Sequence, residues 1–177
     1  MSRYRRFWVP GGTYFFTINL QERRSDLLVR HIDALREAVR RTRQERPFRI
    51  DGWVVLPDHM HCVITLPEGD ADFSNRIKAI KIRFVRAIPA TERRRRSRIA
   101  RGERGIWQRR FWEHAIRSDL DFSRHLDYVH FNPVKHGHVS RVRDWPYSTF
   151  HRAVAADLYP VDWADVRIDE MPVGERD

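Results

Sequence analysis

The order of apolar and polar positions divides the chain into alternating β-like and helical stretches. Thr13-Tyr-Phe-Phe-Thr-Ile-Asn-Leu20 is rich in β-branched and aromatic residues and follows a Gly11-Gly12 turn signal, which predicts a strand. Between Ile32 and Arg46, apolar Ile32, Leu35 and Val39 recur at helical spacing among charges, and Pro47 ends the pattern. Phe48 to Leu56 and His61 to Leu66 predict two more strands, with a break near Pro57-Asp58. From Phe73 to Ile88, the stripe Ile77, Ile80, Phe84, Ile88 predicts a second helix, flanked by Arg76, Lys78, Lys81, Arg83 and Arg86 and stopped by Pro89. Thr91 to Gly105 reads as a basic loop centred on Arg93, Arg94, Arg95 and Arg96. Ile106 to Ile116 is aromatic and β-like. Ser118 to Asn132 predicts a third helix, capped by Ser118 or Asp119 and ended by Asn132-Pro133. After Trp145 the pattern weakens.

This order, β, α, β-β, α, β, α, predicts an antiparallel sheet with helices on one or both faces, an α+β domain. Residues 1–160 read as one domain with one core, and 161–177 as an acidic, loosely packed tail. No apolar run reaches the roughly 18 to 20 residues of a membrane-spanning helix, and the basic start lacks a signal segment. Cys62 is the only cysteine, which excludes an internal disulfide and a zinc-knuckle spacing. These features lead us to expect a cytoplasmic bacterial protein.

Charge narrows the partner class. Thirty-four basic residues against twenty-four acidic ones leave +10, and the sequence pI is near 10.7. Such a surplus favours polyanions, nucleic acid above all, through counterion release at phosphates. Arginine supplies nearly all the cations, the lysines being Lys78, Lys81 and Lys135 alone. A GC-rich coding sequence explains that choice of cation but not the surplus. The segment from Glu92 to Arg104 is the densest run, and it reads as a grip on DNA backbone. Arg76 and Lys81 on the second helix are further candidates, as are Arg3, Arg5 and Arg6, which alternate with Tyr4, Phe7 and Trp8. Trp107, Phe111 and Trp112 are candidates to stack unpaired bases, although most such aromatics belong to cores.

His59-Met60-His61 sits where an apolar strand resumes. In an extended chain His59 and His61 face one way and Met60 faces the core, so two imidazoles can converge on one cation. The spacing alone is weak evidence, since His136-Gly137-His138 shares it. That second pair surrounds a glycine beyond a helix end and reads as a solvated turn. Tyr128 and Asn132 stand at i and i+4 of the third helix and therefore share a face. A lone helical tyrosine is ordinarily a packing residue.

The segments Gly11-Gly-Thr-Tyr-Phe-Phe-Thr17, Pro57-Asp-His-Met-His61, Trp107-Gln-Arg-Arg-Phe111, Glu113-His-Ala-Ile-Arg117, Tyr128-Val-His-Phe-Asn-Pro-Val134 and Trp145-Pro-Tyr-Ser148 occur in this order. Together they resemble the REP-associated tyrosine transposases, relatives of the small single-tyrosine insertion-sequence enzymes. The resemblance runs from about Arg3 to Tyr159. It implies a ferredoxin-like α+β fold with the HUH motif on a central strand. It also implies His59 and His61 as metal ligands, Tyr128 as nucleophile and Asn132 as third ligand, where related enzymes usually carry glutamine. The implied substrate is a single-stranded DNA hairpin, cut and rejoined through a 5′-phosphotyrosine with Mg²⁺ or Mn²⁺ present. No protein partner is required, and a monomer is favoured over a dimer. A relaxase or replication initiator, a hairpin-binding protein that no longer cuts, and a phosphodiesterase using activated water are the competing readings.

Overall fold

The computed structural model describes residues 8–90 and 104–165. Four strands, β1 (Thr13–Asn19), β2 (Arg49–Val55), β3 (His59–Thr65) and β4 (Trp112–Ala115), form one sheet in the order β2-β3-β1-β4. Every neighbouring pair is antiparallel. Helices α1 (Leu27–Arg30) and α2 (Ile32–Glu45) join β1 to β2, and α3 (Phe73–Ala87) joins β3 to β4. This βαββαβ order with β1 and β3 at the centre is the ferredoxin-like arrangement. Two further helices follow, α4 (Asp119–Lys135) and α5 (Phe150–Ala155).

Strand alternation sorts the core onto two faces. Tyr14, Phe16 and Ile18 of β1 and Met60, Cys62 and Ile64 of β3 pack with Leu35, Ile77, Ile80 and Phe84 of α2 and α3. The opposite face carries Phe15, Val54 and Val63, covered by Tyr128 and Val129 of α4. The α+β reading holds, and α4 adds a third layer beyond the βαββαβ unit. Among the described residues no helix is long and apolar enough to cross a membrane.

Three boundaries differ from the sequence reading. The β-like stretch from Ile106 reduces to an isolated bridge at Trp107, paired with Leu20, and the four residues of β4. α4 runs through Pro133 to Lys135, because a proline removes only its own N–H and the last turn has alternative donors. The N–H groups of Gly137 and His138 cap the carbonyls of Val134 and Pro133, a Schellman turn that places Gly137 at a φ of 69°. The weakly patterned segment after Trp145 is ordered along the β2 edge. Val55 donates to Tyr147 O and Thr149 to Trp53 O.

A β-bulge lies between Ile50 and Gly52, where two residues of β2 oppose one of β3. Its extra residue, Asp51, accepts hydrogen bonds from Arg49 Nε at 2.6 Å and Thr65 Oγ1 at 2.7 Å. The inserted residue resets the alternation so that Gly52 faces α4.

Arg76 and Lys81, two candidates for DNA contact, both make hydrogen bonds within the fold. Arg76 is 3% exposed, with its guanidinium on Asp70 Oδ2 at 2.6 Å and the carbonyls of Pro47 at 2.8 Å and Asp72 at 2.7 Å. It ties the start of α3 to the α2–β2 turn. Lys81 donates to Gln108 O at 2.6 Å, and burial lowers its pKa to about 8. Its ammonium braces the segment before β4. Arg3, Arg5, Arg6 and Arg93 to Arg96 lie outside the described residues, as does the tail from 166 onward.

Arg76→Met is expected to cost about 2–3 kcal/mol of stability, the scale of lost charge-assisted hydrogen bonds. The Arg76 hydrogen bond holds the Asp70 carboxyl below its ordinary value. Its contribution is therefore complete above about pH 4 and fades as the pH falls through the lowered value. Urea unfolding at several pH values measures both effects, and DNA affinity of the folded variant should be unchanged. Unaltered stability with weakened DNA binding would return Arg76 to the phosphate-contact role.

Candidate active site

The strand pairing sets out the site before any side chain is considered. On the α4 face, Thr17 of β1 stands opposite His61 of β3 on one side and Trp112 of β4 on the other. One row beyond, Asn19 faces His59. His59 and His61 thus lie two residues apart on one face of an interior strand, 4% and 1% exposed. Their ring centroids are 4.9 Å apart, edge to face.

Each imidazole is held through Nδ1. His59 Nδ1 contacts Asp58 Oδ1 at 2.6 Å, and Asp58 in turn pairs with Arg23 Nε at 3.3 Å. His61 Nδ1 contacts Thr17 Oγ1 at 2.8 Å. Histidines that bind metals through Nε2 are oriented in this way by a carboxylate or hydroxyl on the other nitrogen. Burial, reinforced by the charges of His59, His136, Lys135 and Arg23, pushes the His61 pKa well below its ordinary value. A neutral imidazole is the form that ligates a cation.

α4 brings the tyrosine and the amide. Tyr128 is 5% exposed and stands edge-on to His61 at 5.2 Å and to Phe15 at 5.7 Å. Lys135, two turns on, donates from Nζ to the Tyr128 hydroxyl at 3.4 Å and lies 4.7 Å from its ring centroid. Asn132 is fully buried, and neither atom of its amide has a hydrogen-bond partner. Orphaned buried amides are costly and rare, and they mark places where something other than the fold satisfies them. The plain alternative, an amide spent on capping the helix, is excluded by the same observation. Two oriented imidazoles and one unsatisfied carboxamide suit a divalent cation.

His136 was legible in the sequence only as part of a solvated turn. The Schellman turn around Gly137 carries its ring to 5.1 Å from His59. Burial and the neighbouring His59 lower its pKa to about 4. An open depression of about 380 Å³ lies here, lined by Arg23, Arg24, Asp58, His59, His136 and His138 among others. His130, by contrast, packs against Phe150 at 5.6 Å and Tyr159 at 5.0 Å, away from Tyr128. It is no base for this hydroxyl.

A second cluster, His114, Asp121 and His125, presents ligand atoms within 4.8 Å of one another. Its imidazoles stack at 15° with centroids 4.7 Å apart, so their in-plane lone pairs run side by side instead of converging. The contacts describe a clasp. Asp121, on the first turn of α4, accepts from His114 Nε2 on β4 at 2.9 Å and from Arg117 N at 2.9 Å. Burial raises the Asp121 pKa, but these two bonds outweigh it and leave the value lowered. β4 and α4 are joined seven residues before Tyr128.

Comparison with known proteins identifies the family. The family profile described as "Transposase IS200 like" matches residues 11–132. A REP-associated tyrosine transposase of Escherichia coli K12 is 52% identical over 99% of this chain and 98% of its own length. A Haemophilus influenzae relative is 49% identical over 92% of this chain and 93% of its own length. A solved REP-associated tyrosine transposase bound to a REP hairpin superposes with a TM-score of 0.83 at 52% identity, covering 99% of this chain and 98% of that one. The chain belongs to the IS200-like transposases, among their REP-associated tyrosine transposases.

Proposed function

We propose that this chain binds single-stranded DNA hairpins of the REP type and cuts and rejoins them through Tyr128. The observation that carries the reading is the contact between Tyr128 and His61, with Lys135 on the hydroxyl. It joins a nucleophile to a metal-ligand set across the α4–β3 interface. The solved relative in complex with a REP hairpin supports the substrate class.

In this reading His59, His61 and Asn132 hold Mg²⁺ or Mn²⁺, with the imidazoles favouring Mn²⁺ in affinity. None of these ligands is anionic, so a bound ion would keep its full charge and would supply Lewis acidity to the scissile phosphate. Tyr128 Oη attacks phosphorus, the bond to the 3′-oxygen breaks, and a 5′-phosphotyrosine and a free 3′-hydroxyl result. The phenol proton passes to solvent, and the departing 3′-oxygen takes a proton from solvent. Lys135 acts by charge. Its ammonium stabilises negative charge on Oη as that oxygen attacks, and again as it leaves during rejoining. Phosphoryl-bond energy is retained in the adduct, so joining needs no ATP.

The remaining assignments follow from charge and position. Arg23 and Arg24 line the depression beside His59 and receive the DNA backbone there. Arg3, Arg5, Arg6 and the Arg93, Arg94, Arg95, Arg96 run supply further phosphate contacts. The protein acts as a monomer in the bacterial cytoplasm, on the nucleoid.

Tyr128→Phe removes one oxygen and should abolish both cleavage and the denaturation-resistant protein–DNA adduct while hairpin affinity stays within about twofold, the range of a change near 0.4 kcal/mol. Cleavage near the wild-type rate by the purified variant would sink the mechanism. Asn132→Leu tests the third ligand by replacing an unsatisfied amide with an apolar group of similar size. In EDTA the variant should unfold at equal or higher denaturant, by up to about 2 kcal/mol. Its Mn²⁺ affinity should fall by about tenfold or more, the scale of losing metal-site support. Intact Mn²⁺ affinity would remove Asn132 from the ligand set.

A further inference from the structure

We infer that Trp112 is a stacking platform for an unpaired base next to the scissile phosphate. This inference rests on the reading of the site given above and adds a subsite for the single-stranded flank of the hairpin.

Trp112 differs from the other aromatics of its segment. Trp107 is 9% exposed and donates from its indole N–H to Lys81 O at 3.2 Å, a core residue with its polar atom satisfied. Phe111 packs edge-on against Phe16 on the α2–α3 side of the sheet. Trp112 points to the opposite face and leaves 38% of its surface exposed, on an edge strand. More than a third of this large indole is thus left open to solvent.

Its place in the register supplies the occupant. Thr17 pairs with both His61 and Trp112, so the three residues form one row across adjacent strands. Strands lie about 4.8 Å apart, which puts the Trp112 backbone about 10 Å from that of His61. The nucleotide flanking a phosphate at His61 reaches that far. Trp112 and Tyr128 also pack on the same Phe15 ring, at 5.6 Å and 5.7 Å. Phe15 therefore forms the wall between nucleophile and platform. The indole lies nearly parallel to the His114 ring, at 8° with centroids 6.0 Å apart, and His114 is fixed by the Asp121 clasp. A supported flat aromatic beside a phosphodiester site suits a nucleobase, which offers a π-face whatever its identity. Exposed Arg110, just before the strand, carries the sign that a DNA strand requires.

The test is a binding cycle in EDTA, which needs no chemistry. Wild type, Trp112→Ala and Trp112→Phe are titrated with a stem-loop carrying an unpaired flank, with the same stem-loop lacking it, and with flanks carrying one abasic nucleotide in turn. Trp112→Ala should lose about tenfold affinity for the flanked hairpin and none for the bare one. Trp112→Phe should retain most of the affinity. One abasic position beside the cleavage site should reproduce the loss in wild type and add nothing further in Trp112→Ala. Equal losses on flanked and bare hairpins, or abasic losses that add fully to that of Trp112→Ala, would overturn the platform. Failure of the wider reading would show separately, as absence of a covalent adduct in wild type with metal, whatever the cycle reports.

Discussion

The proposed chemistry depends on how closely one helix lies on one sheet. Tyr128 belongs to α4 and His61 to β3, and they meet only because α4 settles onto a surface with a gap in it. Gly52 is that gap: a Cβ there would fall 2.7 Å from Leu126 Cδ2. The bulge at Asp51 turns this glycine toward α4, while Trp53 and Val55 go to the other core. Val129, fully buried one residue from the tyrosine, anchors the same turn in the apolar cluster. Both ends of α4 are tied as well. Ser118 accepts from Asp121 N at the start, a cap with a typical value of about 1 kcal/mol. The Asp121 clasp holds β4, and the turn at Gly137 lays His136 against His59. The tyrosine sits between three fixed points.

Local stability is given up at the centre of this arrangement. Asn132 buries an amide without partners, which costs about 1–3 kcal/mol. The two histidines are oriented through Nδ1, held by Asp58 and Thr17. Such a set is poor packing but good ligation. The same logic separates it from the His114–Asp121–His125 cluster, whose groups already satisfy one another.

Much of the fold was legible because its elements obey local rules. β1, α2 and α3 match their hydrophobic periods to within a residue or two, and Ser118 caps α4 as its residue type suggests. His59 and His61 share a face because period-two alternation allows nothing else. The misses have one cause: they depend on contacts distant in sequence. Pro133 reads as a stop, yet the turn beyond it supplies the capping donors. Arg76 resembles its neighbours on α3 until Asp70 and the Pro47 carbonyl enclose it. Lys135 sits seven residues from Tyr128 and declares itself only when the helix closes. Trp145 to Thr149 lacks periodicity because it follows a strand edge, with Trp145 Nε1 on Val55 O at 3.0 Å.

The central claim concerns one oxygen atom. The most direct measurement is to trap the protein on a cleavable hairpin with Mn²⁺, digest protein and DNA, and sequence the modified peptide by mass spectrometry. The account predicts a 5′-phosphonucleotide on Tyr128, with Tyr4, Tyr14, Tyr147 and Tyr159 unmodified. Nucleotide mass on any other residue, or strand cleavage with no modified peptide, would contradict it.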